Sequence, residues 1–133
     1  MDLKTEDRLA IHELVSLHGH LMDEGAFDRL DELFTHDVVY DLTAFGQGAL
    51  HGISAIVNAA RQLGNANPVA HHVTNVVITA VGEAVVSVAS KGFGVRADGS
   101  TGSVAYHDEV RKDPAGWRIA RRRLVPRREP LKP

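Results

Sequence analysis

The hydrophobic pattern of the chain changes period once, near its middle. Between Thr5 and Gly25, the side chains of Ile11, Leu14, Val15, His18, Leu21 and Met22 recur at the spacing of one helical face. Thr5 stands where an N-cap belongs, acidic residues fill the first turn, and Gly25 is a natural stop. The stretch AFDRLDELF predicts a short second helix, with Phe27, Leu30, Leu33 and Phe34 on one side. DVVYDLTAF predicts a strand and GQGALHG a loop. A third helix is predicted in ISAIVNAARQLG, where Ile53, Ile56, Val57 and Ala60 form the apolar stripe and Gly64 ends it.

After NANP the helical spacing gives way to runs rich in β-branched residues: Val69–Ala80, Glu83–Arg96, Thr101–Lys112 and Trp117–Val125. The connections VGE, ADGS and KDPAG are short and of hairpin type. Helices first and strands afterwards predict an α+β domain, a curved antiparallel sheet packed on three N-terminal helices. The 133 residues suit a single domain, 1–133, with one core, and no repeat or linker interrupts them. Apolar residues at 44% and charged residues at 24% exclude a disordered chain.

Composition then narrows the chemistry. The absence of cysteine excludes disulfides, a thiolate nucleophile and cysteine-based metal centres. His18 and His20 diverge on a helix and no His-x-x-x-His pair occurs, so no metal site is expected. Neither a G-x-S-x-G elbow nor a phosphate-cradling loop is present, which leaves no nucleophilic serine motif and predicts no cofactor. The apolar runs are too short to span a bilayer, and MDLKTEDRLA does not read as a secretory leader, so a cytoplasmic protein without membrane contact is expected. WRIARRRLVPRREPLK is dense in arginine, but the net charge of -2 favours a solvated edge strand over nucleic-acid binding. A sheet face carrying Val76, Ile78, Val86 and Val88 is expected to be exposed and to form a homodimer or higher homo-oligomer.

The polar residues on apolar faces are the candidates for function. In PVAHHVTNVVI the adjacent His71 and His72 point to opposite faces of a strand, and His71 shares its face with Val69, Val73 and Val77. Tyr106 and Asp108 share a face with Val104 and Val110, as Arg122 does with Ala120 and Leu124. Polar groups among apolar neighbours need partners or a task. From strand parity alone, His71 is either a hydrogen-bonded core histidine or a base. General acid–base chemistry by an Asp–His pair requires only two groups brought together in a dry pocket.

The segments LVSLHGHLMDEGAFDRLDELFTHDVVYD, HG opening a helix, AHHVTN and AYHDEVRKDPAGWRIARRRLV together resemble the SnoaL-like branch of the nuclear transport factor 2-like superfamily, over roughly residues 6–126. The resemblance implies a cone of curved antiparallel sheet closed by three helices around a deep cavity. Scytalone dehydratase, bile-acid dehydratase and hexachlorocyclohexane dehydrochlorinase are of this branch. It implies a dyad of Asp23 and His71, with His18 where those enzymes carry tyrosine or lysine and Arg122 at a cavity arginine. Tyr40, Tyr106 and Asp108 are further substrate-binding candidates, Tyr40 fitting the core as well. The implied function is a cofactor-independent lyase or isomerase, dehydratase-like, on a small hydrophobic cyclic molecule. The alternative is a non-catalytic binding protein, or an accessory subunit like the β chain of ring-hydroxylating dioxygenases. No cavity histidine stands near Phe93 or Gly94, where scytalone dehydratase has its second, so that particular dehydration is disfavoured.

Overall fold

A computed structural model describes residues 2–133. Helix α1 (Thr5–Asp23) has Lys4, not Thr5, as its N-cap, and the Lys4 backbone N–H donates to the Asp7 carboxylate at 3.1 Å. The same carboxylate accepts the Trp117 indole N–H at 3.1 Å, so the start of the helix is tied to the last hairpin of the sheet. Ile11, Leu14, Val15, His18 and Leu21 are buried, as the stripe predicts. Gly25, at φ 63°, turns the chain after the helix.

The expected second helix is a 3₁₀ segment, Phe27–Glu32. Its six residues make two tight turns, and Phe34 opens strand β1 (Phe34–Asp41) instead of closing a helix. Thr43–Phe45, expected as strand, is a second 3₁₀ turn, and the expected loop contributes the short strand β2 (Ala49–His51). Helix α2 (Ile53–Leu63) follows and buries Ile56 and Ala60.

The second half forms four long strands, β3 (Ala70–Val81), β4 (Val86–Val95), β5 (Thr101–Asp113) and β6 (Gly116–Arg127). All six strands make one sheet in the order β2-β1-β6-β5-β4-β3. Neighbours are antiparallel except β1 and β6, which run parallel, so the sheet is mixed and not purely antiparallel. No hairpin joins β1 to β6, and so no turn dictates their relative direction.

Two bulges decide which side chains point inward. Asn75 sits at φ 55°, and the β3–β4 register shifts between Thr74 and Val77. Val73, Val76 and Ile78 therefore pack on the core, while Val77 is exposed. Strict alternation had placed Val77 with His71. The face expected to be open fails for the same reason: Val86 and Val88 are 0% and 2% exposed, and Val76 and Ile78 lean on the same core. The outer side of β3 and β4 presents Val77 and Phe93 instead. In β6 the register shifts between Ile119 and Arg121, which brings Trp117, Ile119, Arg122 and Leu124 all to the buried side. Among the described residues no helix is long and apolar enough to cross a membrane.

Candidate active site

Between α1, α2 and the inner face of the sheet lies a cavity of about 940 Å³, whose wall includes His18, Tyr40, Leu63, His71, Tyr106 and Leu124. Each main element contributes to it. His18 comes from the buried stripe of α1, Tyr40 from β1, His71 from the start of β3 and Tyr106 from β5.

Asp23 is the last residue of α1, a position where the helix dipole disfavours negative charge. Its carboxylate is held there by the neighbouring strand. The His71 backbone N–H donates to both carboxylate oxygens, each at 3.0 Å, and His71 Nδ1 lies 2.6 Å from Oδ1. A carboxylate accepts, so this contact puts the imidazole proton on Nδ1 and leaves Nε2 with a free lone pair. Both side chains are mostly shielded, at 21% and 25% exposure. His72, the other histidine of the pair, is exposed and stacks on Phe93 at 4.8 Å.

A residue absent from the sequence reasoning makes this contact sterically feasible. Gly19 follows His18 on α1, and a Cβ at Gly19 would overlap the carbonyl oxygen of His71. Only glycine lets the helix approach β3 this closely. Gly92 does the same for Tyr106, whose Cε2 would lie 2.5 Å from an added Cβ. The signal was present in the sequence as a glycine in a helix interior, where it costs about 1 kcal/mol relative to alanine.

His18 is fully enclosed, with its ring 5.7 Å from His71, 6.1 Å from Tyr106 and 6.5 Å from Phe34. Burial, the Arg122 charge and the nearby His71 together hold its pKa well below the ordinary 6.5, so His18 is neutral. Its Nδ1 is buried with no protein partner.

Asp108 and Arg122, expected to contact substrate, lie behind the cavity wall. Both side chains are 0% exposed and meet as a two-bond pair, Nε to Oδ1 and Nη2 to Oδ2, each at 2.8 Å. Burial works against the Arg122 charge, but the Asp108 carboxylate outweighs it and keeps the guanidinium protonated. The guanidinium lies 4.4 Å from the centre of the Tyr106 ring, a cation–π contact that fixes the ring against the wall. Tyr40 packs edge-on to Phe34 at 6.0 Å, and burial raises the pKa of both Tyr40 and Tyr106, so both hydroxyls stay protonated. Among the described residues no three His, Asp or Glu side chains converge as a metal site requires.

A profile of the SnoaL-like domain matches residues 4–123. No curated protein matches the chain by sequence. Among solved structures, a provisionally assigned aromatic ring hydroxylase from Novosphingobium aromaticivorans is 28% identical, with 96% of this chain and 94% of that one aligned at a TM-score of 0.79. A provisionally assigned scytalone dehydratase from the same organism is 24% identical, covering 94% and 89%, at 0.74. The β subunit of a provisionally assigned aromatic-ring-hydroxylating dioxygenase, also from that organism, is 20% identical, covering 92% and 90%, at 0.67. The last two likenesses speak to fold alone.

Proposed function

The chain belongs to the SnoaL-like domain family, and from that premise we propose that it is a cofactor-independent lyase or isomerase, dehydratase-like, acting on a small hydrophobic cyclic molecule. The observation that carries this reading is the three-contact hold of Asp23 on His71 at the cavity wall. Both the ring and the backbone of His71 are fixed by one carboxylate, and among the described residues no hydrogen bond is made by Nε2.

In the reaction, Nε2 of His71 takes a proton from a carbon next to an activating group. The C–H electron pair then forms a double bond as the leaving group departs with the proton delivered from His71, or the double bond migrates and the proton is returned at another carbon. Asp23 stands beside the positive charge that His71 acquires and holds the ring in place as it takes the proton. His18, being neutral, serves as a hydrogen-bonding group and not as a cation. Tyr40 and Tyr106 offer hydroxyls to the substrate, and the Arg122–Asp108 pair positions Tyr106.

Cyclic alcohols and ketones screened for the absorbance of a new conjugated double bond supply the assay. Replacing His71 by Gln is expected to abolish turnover with the fold intact by circular dichroism. Asp23→Asn is expected to lower kcat by roughly 10³–10⁴-fold, because the amide favours the wrong tautomer. A His71→Gln variant with near wild-type kcat ends this reading. It would leave the accessory-subunit alternative, a role that one structural neighbour of the same fold carries in its name. The protein is further read as a homodimer through the outer face of β3 and β4, where Val77 and Phe93 are exposed.

A further inference from the structure

The arginine-dense end of the chain plays no part in the proposed chemistry, yet it reaches the cavity. Arg127 and Arg128, at the end of β6, line its mouth together with Arg96, at the end of β4. Register brings them to one rim. Arg127 pairs with Ser103 across β5–β6, and Val95, just before Arg96, pairs with Thr101 across β4–β5. Among the described residues no aspartate or glutamate belongs to the cavity wall, the Asp23 carboxylate lying behind His71 and in contact with it. The whole chain carries a net charge of -2, so a rim of three arginines is not a by-product of a basic protein.

Arg96 is also seated. Its Nη2 lies 3.2 Å from where a Cβ of Gly102 would be, so the missing side chain at Gly102 makes room for the guanidinium at the rim. Among the described residues neither Asp98 nor Glu129 forms an ion pair with these arginines, although Arg96 Nη1 donates to the Ser100 hydroxyl at 3.4 Å. Asp98 accepts from the backbone and hydroxyl of Ser100 at 2.9 and 2.6 Å while feeling the Arg96 charge, and Glu129 faces Lys132 at 3.9 Å. The interior below the rim is different, with aromatic rings, Leu63, Leu124 and a neutral His18.

We propose that the ligand of this cavity is an amphiphilic anion, an apolar ring body held inside with a carboxylate or phosphate group at the mouth on Arg96, Arg127 and Arg128. This rests on the part of the functional reading that puts the substrate in the cavity, and it does not depend on His71 acting as a base. Guanidinium groups suit both head groups because their paired N–H donors match two oxygens at once. Gathering like charges at a low-dielectric mouth also focuses the field on an approaching anion.

Two dyes on the full-length protein test it. Anilinonaphthalenesulfonate carries an anionic group on the same rings that phenylnaphthylamine carries without charge. At low ionic strength the sulfonate is expected to bind about tenfold tighter or more, and the gap should close as salt screens the rim. Arg96→Gln, Arg127→Gln and Arg128→Gln should each weaken the sulfonate several-fold and leave the neutral dye unchanged. Filling the wall with Ala59→Phe should displace both dyes, and benzoate or phenyl phosphate should compete with the sulfonate. Equal affinity for the two dyes, arginine variants that act on both alike, sulfonate binding indifferent to Ala59→Phe, or competition by neither anion would each overturn the proposal. His71→Gln separates the two readings. An anion preference that survives in a variant with undiminished turnover upholds this inference and removes the dyad. A lost preference with turnover still dependent on His71 does the reverse.

Discussion

His18 occupies a place where an imidazole cannot take a proton. In the unfolded chain it titrates near its ordinary value of 6.5, while in the folded protein burial and the Arg122 charge keep it neutral to well below that. Between those two values the unfolded state binds one more proton. Stability therefore rises with pH across that window and levels off above it, with a slope of up to about 1.4 kcal/mol per pH unit. Urea melts at pH 7.5, 6 and 5 are expected to show this loss on acidification, and His18→Gln is expected to flatten it. An unchanged slope in the variant would show that another group is responsible. Carboxylates such as Asp41 and Asp98, held below 3.8 by their hydrogen bonds, contribute only at more acidic pH. The position of His18 on an apolar stripe was legible in the sequence. Its neutrality was not, because the burial that chiefly enforces it needs the whole cavity wall, and the Arg122 charge that adds to it stands more than a hundred positions away, turned inward by the shift of register in β6.

At the scale of elements, the contact between α1 and β3 builds the site, and Gly19 controls how near they come. Alanine is the better helix former, so Gly19→Ala improves α1 in isolation by about 1 kcal/mol. In the protein the added methyl meets the His71 carbonyl oxygen, and the helix must retreat from β3. The expected outcome is a net destabilisation of about 1–3 kcal/mol in thermal or urea melts. Turnover should also fall, because the Asp23–His71 contact lengthens as the elements part. A Gly19→Ala protein as stable and as active as wild type would contradict this account. Helical and strand periods identified both elements, while the pairing of Asp23 with His71 at their junction came from the family resemblance and Gly19 went unread. What they could not supply was the bulge at Asn75, since a single asparagine with positive φ leaves no trace in alternation and reverses the facing of the residues between it and the second register shift at Ile78/Ala80.

For the whole molecule, the order of the long hairpins followed from their turns, where Asp98 and Asp113 accept backbone N–H groups two residues on. Assembly is predicted through the outer side of β3 and β4, and light scattering at high micromolar concentration should give twice the mass of the chain. Val77→Glu should return it to monomer, and a wild-type monomer under those conditions would refute the dimer. The parallel contact of β1 with β6 had no local signature, as its partners stand about eighty residues apart. That contact has a consequence for how the protein is made. β1 and β2 join the rest of the sheet only through β6, which is made after the other five strands. A growing chain can pair β3, β4 and β5 as hairpins while β1 and β2 wait with no larger sheet to join. Tyr40, Tyr106 and Leu124 come together on one wall of the cavity only when β6 takes its place between β1 and β5. The ligand-binding chamber of the nascent protein therefore cannot close before β6 has been made, and it depends on pairing across a long stretch of chain.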